Sequence, residues 1–271
     1  MRNGSAVSYT ISAVIMTAVT LTLVLVASSY TYQALEQQRG ATEFDAAKKS
    51  ILAFDDALRD AAWKPEATRS ARFTVNYGQL ELIPNVPLVV NVTGYQNASL
   101  SLSREVLTGY ISYKTKTTYV SFEEGSSTYF LGSNRTLADG AASYGRASIE
   151  QNAGWVNMVL DYGVRAMKTS TVNVTQGNQT VRVNNVDIWI TRINITNWST
   201  YVGEFDLRVH TLTVATESFA GDDGNGYSLG AEKQCNISVR LGSNPLDTTS
   251  IDLDGDKVAL NFVIATLQVT V

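Results

Sequence analysis

Hydrophobic and polar positions along the chain fall into three successive textures. Between Arg2 and Glu36 there is no charged residue, and residues 6–34 are apolar with Ser and Thr interspersed. A membrane-crossing helix needs about 20 such residues. The stretch is too long for the apolar core of a secretory signal, about 7–15 residues, and no Ala-x-Ala cleavage site with a polar stop follows it. A helix retained in the working protein is expected. From Glu36 the composition turns charged while helical periodicity continues. Phe44, Ala47, Ile51, Phe54, Leu58 and Ala61 repeat at alternating spacings of 3 and 4, which aligns them in one stripe. Asp45, Lys48, Lys49, Asp55, Asp56, Arg59 and Asp60 are expected on other faces. Trp63-Lys64-Pro65 ends the pattern, because proline cannot continue a helix and biases its predecessor to extended geometry. The prediction is one helix from about Ser5 to about Ala62, on the order of 85 Å long. Gly40 is its expected weak point, at about 1 kcal/mol relative to Ala, and a kink or short melted stretch is predicted there.

The third texture is β-rich. Residues 71–77 alternate, Gly78 reads as a turn, and 80–83 and 87–93 alternate again. Further strands are predicted at 109–114, 117–122, 128–131, 181–195, 202–214 and 258–271. Glu123-Glu124-Gly125-Ser126 and Gln176-Gly177-Asn178-Gln179 read as hairpin turns. Residues 143–167 are ambiguous; a helix fits Ile149, Trp155, Val156, Val159 and Val164, but alternation in 156–160 favours strand. Turn signals every 8–12 residues point to an antiparallel β-sandwich or barrel. The expected organisation is α+β: a helix within residues 1–65, apolar over 5–35 and amphipathic over 36–62, then an antiparallel β-sandwich head over 66–271. Because the sequence ends inside a predicted strand, no second anchor or disordered tail is expected.

Composition narrows the chemistry. The 271 residues carry a net charge of −4, with one Cys and one His. A weakly acidic chain without a basic patch argues against nucleic acid as partner. Cys235 alone makes no intrachain disulfide, zinc cluster or iron–sulfur site, and suits a buried small residue. His210 is also alone, and most nucleophile–base pairs and transition-metal sites need more. No phosphate-binding Gly-Lys-Ser/Thr loop, Gly-x-Ser-x-Gly elbow, His-Glu-x-x-His or Cys-x-x-Cys-His is present. No catalysis and no cofactor are expected. Asp252, Asp254 and Asp256 alternate as a weak hard-cation candidate, and residues 221–226 form a second acidic loop. Neither has both the glycine and the distal glutamate of an EF-hand, and a hairpin turn between Ile251 and Val258 is the favoured reading.

Nine of eighteen asparagines sit in Asn-x-Ser/Thr, where composition alone would give roughly four. Asn3 opens the apolar helix and is set aside. Asn91, Asn97, Asn134, Asn173, Asn178, Asn194, Asn197 and Asn236 all lie in the β part. They mark an exported head carrying covalent N-glycans.

A retained apolar N-terminal helix, an amphipathic continuation and a β head resemble the plan of a type IV pilin. Ser5-Ala6-Val7-Ser8 leading into the Ile/Val/Thr/Leu-rich run is similar to the start of archaeal type IV pilins and archaellins, and residues 43–63 are similar to their second helical half. Beyond residue 65 the resemblance is architectural. It implies a subunit inserted into the cytoplasmic membrane, trimmed by a prepilin peptidase, and extracted by an assembly machinery into a helical homopolymer on the cell surface. Helix cores would meet through Val14, Ile15, Val19, Leu21, Leu23, Leu25 and Val26, while Phe44, Ile51, Phe54 and Leu58 would dock on the head. Arg2-Asn3-Gly4 fits a minimal leader with cleavage after Gly4; with the sequence starting at Met1, either the leader lay upstream and Met1 is the mature first residue, which is the favoured reading, or cleavage did not occur. The acidic residue of bacterial pilins near the mature N-terminus is missing here, as is common in archaeal relatives. Two other classes remain: a membrane-anchored surface or sugar-binding protein that never polymerises, and an extracytoplasmic hydrolase, which the residue inventory disfavours.

Overall fold

The computed structural model describes residues 4–94, 100–139, 145–176, 179–221 and 224–271. Helix α1 spans Gly4–Ala62, 59 residues. The strands follow in order: β1 Thr68–Gly94, β2 Ser101–Lys116, β3 Ser127–Leu131, β4 Leu137–Asp139, β5 Gly145–Asn152, β6 Trp155–Tyr162, β7 Val164–Gln176, β8 Gln179–Asn194, β9 Ser199–Phe219, β10 Tyr227–Ser228, β11 Gln234–Leu241, β12 Asp247–Asp252 and β13 Lys257–Thr270. A long apolar helix followed by a large, mostly-strand region matches the coarse expectation.

The helix does not melt at Gly40. That residue is buried, and a Cβ there would sit 2.5 Å from the Tyr119 ring. Glycine is present because an aromatic ring packs directly on the helix backbone, so the apparent weak point is a contact point. The helix ends at Ala62 as predicted. The Lys64 amide donates to the Ala61 carbonyl at 3.0 Å, and the buried Thr211 hydroxyl donates to the same oxygen at 2.7 Å. These bonds satisfy a carbonyl that a helix C-terminus otherwise leaves orphaned. Asp60 then ties Lys64 and Arg69 together at the corner into β1.

The sheet is mixed rather than antiparallel throughout. Its main path is β3-β5-β6-β2-β1-β9-β13-β8-β7-β4, with β11 and β12 carried on the far half of β1. β13 pairs parallel with β8, and β4 parallel with β7. The physical reason lies in the order of insertion. β8 and β9 are joined by four residues and run in opposite directions, and β13 lies between them, antiparallel to β9 and therefore parallel to β8.

β1 is one 27-residue strand where three short ones were predicted. Gly78 is not a turn; a Cβ there would meet the Tyr113 ring at 2.6 Å. The predicted strand 117–122 is also absent. The chain turns after Lys116, delivering Tyr119 to Gly40 and Phe122 to Phe44, whose ring centroids lie 5.7 Å apart. Burying two rings on the helix displaces strand pairing there, while the Phe122 amide donates to the Gln151 side chain at 2.7 Å. Residues 145–162 form the hairpin β5–β6, turned at Ala153 (φ 49°) and Gly154 (φ 80°), the two positive φ values of a type I′ turn. The 176–179 hairpin pairs as predicted, with Gly177 and Asn178 outside the described residues.

Two apolar cores result. The first joins the α1 stripe to Phe73, Leu80, Ile111, Tyr113, Met158 and Leu160. The second, farther from the helix, gathers Leu88, Val90, Ile188, Ile237, Leu260 and Phe262. β1, β2, β8 and β13 contribute to both, so the long strands tie the distal core to the one that holds the helix.

Candidate functional site

The feature to be explained is an abrupt change of environment along one unbroken helix. Val14, Ile15, Val19, Leu21, Leu23, Leu25 and Val26 are 53–64% exposed, and every residue from 11 to 35 is solvent-facing. The segment is long and apolar enough to cross a membrane. Its polarity is further masked by backbone return: Thr17, Thr20, Thr22 and Thr31 each donate to the carbonyl four residues earlier at 2.8–2.9 Å. Ala13, Thr17 and Ala18 leave a shallow apolar groove between Val14 and Leu21. A continuous exposed apolar surface of this size needs a partner of like polarity.

Beyond Gly40 the same helix is sealed into the head. Phe44, Ile51, Phe54 and Leu58 are buried in the first core, as the stripe predicted. Phe54 meets Phe73 edge-on at 6.4 Å, and Phe73 stacks on Phe205 at 5.9 Å.

Two acidic side chains in this seam escaped the sequence reading. Glu43 is buried and accepts from the Asn76 amide at 2.6 Å, the Tyr77 amide at 2.9 Å and the Tyr113 hydroxyl at 3.0 Å. The register of β1 against β9 slips between Val75 and Leu80. The amides that lose strand partners there are received by the helix carboxylate. Burial, then the Glu43 charge, pushes the Tyr113 phenol far above its ordinary value, so it remains a donor. The only sequence cue was an acid one position ahead of the apolar stripe.

Asp55, expected on a polar face, is fully buried. It accepts from the Tyr162 hydroxyl, and Arg59 Nη2 lies 2.6 Å from its second oxygen, an ion pair without hydrogen-bond alignment. Gly145 permits this approach, since a Cβ there would lie 2.5 Å from Asp55 Oδ1. Desolvation raises the Asp55 pKa; the Tyr162 hydrogen bond and Arg59 act in the opposite direction, and neighbouring Asp56 adds to the rise.

The cation candidates are not assembled as a site. Asp254 is bonded to Lys168 and lies 2.7 Å from Arg182, Asp256 pairs with Lys233 at 3.0 Å, and Asp252 accepts from Gln234 at 2.6 Å. The Lys168 bond draws Asp254 down to about 2. The segment is a crossover rather than a hairpin turn, because β12 pairs with β11 and β13 with β8 and β9. Among the described residues no group of three acidic, His or Cys side chains is placed to hold a metal. In the second acidic loop, Asp222 and Asp223 lie outside the described residues. Cys235 is buried and free, and burial lifts its thiol to about 12.

Of the sequons, Asn134, Asn173 and Asn197 are exposed, and Asn91, Asn194 and Asn236 half-buried. Asn194 donates to Gln268 at 2.7 Å, and the Asn236 amide oxygen accepts from Ser250. Asn97 and Asn178 lie outside the described residues.

No protein-family model, curated protein or solved structure matches this chain.

Proposed function

We propose that this chain is a structural subunit of an extracellular filament built on the type IV pilin plan. The observation that carries the reading is the change of burial along α1: uncovered, uncharged and almost wholly apolar or hydroxyl-bearing from residue 11 to residue 35, then locked into the head from Gly40. A plain anchor explains the first half but calls for no continuous, cored extension of the same helix. A subunit needs that extension, because load on the helices must pass to the head without a hinge.

In the membrane the apolar half is solvated by lipid. In the filament the same surface is solvated by copies of itself, so polymerisation exchanges one apolar environment for another and packing decides the geometry. Val14, Val19, Leu23 and Val26 then line the polymer core. The heads coat it, carrying N-glycans at exposed sequons such as Asn134, Asn173 and Asn197. Processing by a prepilin peptidase and extraction by an assembly machinery belong to this proposal, as does a role in adhesion or motility. No catalytic step or cofactor is part of it. Negative-stain microscopy of sheared cell-surface material tests it. Regular filaments containing this chain are expected; detergent-dependent monomers with no filaments would establish the anchored, non-polymerising alternative instead.

A further inference from the structure

The head carries an open trough on the face of the β3-β5-β6-β2 sheet that looks away from the helix. Alternation along β5 and β6 decides its two faces. Ala147, Ile149, Met158 and Leu160 point into the helix-bearing core, while Ser148, Glu150, Val159 and Asp161 line the trough. The connection between β11 and β12, residues 242–246, forms the opposite wall. Two lobes of about 330 and 530 Å³ share Tyr129, Arg146, Glu150 and Asn244. Each lies within the usual range for small-ligand sites.

Among the described residues the floor presents no free cation. Arg146 is buried, with Nε and Nη2 on Asp161 at 2.6 and 2.7 Å and Nη1 on Thr136 Oγ1 at 3.0 Å. Burial opposes the Arg146 charge, but Asp161 more than offsets this and its pKa is raised. Arg135 at the rim is engaged by Asp247 at 3.3 Å. An anionic ligand therefore finds no unspent positive charge.

Acceptors and hydroxyls, by contrast, remain open. Ser148 is 7% exposed, lines the trough, and its hydroxyl has no partner among the described residues. Glu150 accepts only from Ser127, at 2.8 Å, and has no ion-pair partner among them. The rings of Tyr110 and Tyr129 are half-buried at the wall, and neither hydroxyl has a partner among the described residues. Desolvation raises both phenols, keeping them protonated as donors.

We propose that this trough binds a neutral sugar, its C–H face against the Tyr129 and Tyr110 rings and its hydroxyls on Ser148, Glu150 and Asn244. Two half-buried aromatic rings beside hydroxyl and amide groups and a carboxylate without a cation partner among the described residues suit a polyol better than a lipid or an anion. The proposal rests on the head alone and stands whether or not the helix polymerises. The sugar comes either from a foreign surface or from a glycan on this protein, since Asn134 lines the same trough.

The test uses the full chain, made without N-glycans and held in a detergent lacking a sugar headgroup. It is passed over immobilised neutral hexose and N-acetylhexosamine oligosaccharides, with sulfated and polyamine surfaces alongside. Retention on at least one neutral glycan is expected, reduced at least tenfold by Tyr129→Ala and severalfold by Asn244→Ala, and unchanged by Trp198→Ala, an exposed aromatic elsewhere. Thermal melts check folding; if Tyr129→Ala does not fold, the loop variant Asn244→Ala decides alone. A parallel arm with the glycosylated chain separates the sources: lost retention assigns the trough to the protein's own glycan, kept retention to a foreign one. No retention on any neutral glycan, equal retention by both trough variants, or retention only on the charged surfaces would overturn the proposal.

Discussion

Residues 11–35 and residues 40–62 belong to one helix, yet they have opposite relations to the rest of the molecule. In the first stretch every side chain faces outward, and nearly all are apolar or hydroxyl-bearing. In the second, four large apolar side chains, one glutamate and one aspartate are sealed beneath the sheet. Helical hydrogen bonding is the same in both. What differs is what the periodicity asks for: a surface apolar all round has no preferred inward side, whereas a stripe three and four residues apart does. A continuous helix can therefore be solvated by two different media, provided no residue between them breaks it. Gly40, packed under Tyr119, marks the point where the head begins to grip.

The contrast can be broken from the uncovered side first. Leu23→Asp places an unpaired carboxylate mid-helix, at about 2.5–3.5 kcal/mol per subunit on insertion scales. The penalty repeats at every copy, so filament yield by electron microscopy is expected to fall to nothing while the head keeps its melting temperature. Phe54→Ala should do the reverse. It is expected to lower the stability of the full chain's head by about 3–5 kcal/mol, the cost of deleting a buried phenylalanine, read by denaturant titration in detergent.

A smaller effect sharpens the boundary itself. Glu43→Gln replaces a charged acceptor serving two amides and a phenol by a neutral one, and about 1–2 kcal/mol of destabilisation is expected. Hydrogen exchange at Asn76 and Tyr77 should rise more than elsewhere in β1; uniform exchange across the strand would show that Glu43 is not what holds the bulge.

The Asp55 carboxyl gives the seam a pH dependence. Because its pKa is raised from the ordinary 3.8 in the folded state, the folded protein binds this proton more tightly than the unfolded chain does. Its contribution is fully present below the unfolded value and is lost as pH rises through the folded one. Relative to Asp55→Asn, the wild type should thus lose stability from about pH 4 upward, and parallel melting curves across that range would refute this. The smallest effect is expected at Lys48. It is half-buried and its ammonium lies 4.9 Å from the centre of the Phe130 ring, so Lys48→Asp should cost roughly 1 kcal/mol or less by thermal melt.

Glu43 and Asp55 illustrate what periodicity conceals. A charged residue beside an apolar stripe reads as surface, because burial of a charge is costly unless partners wait for it. Those partners are strand amides released by a register slip, a tyrosine 107 residues downstream of Asp55, and a glycine that lets the carboxylate approach. None is adjacent in sequence. The trough on the outer face of the head is equally hidden, since Tyr110, Tyr129, Ser148 and Asn244 come from three strands and a loop.

The sequence by itself determined the helix, its end before Pro65, the division of its two halves, the docking stripe, and the positions of β3, β8, β9 and β13, though not those of β7, β11 or β12. All of these follow from interactions a few residues apart: the 3.6-residue and two-residue periods, the missing amide of proline, and the lack of charge over a long run. Only the tertiary structure decided that Gly40 and Gly78 are contact points beneath rings and that residues 117–122 wrap the helix rather than pair. It alone placed β13 between β8 and β9, turning one pairing parallel, and gave the Asp254 and Asp256 carboxylates to lysines. Each of these is settled by which distant surface arrives, and local sequence carries no record of that surface.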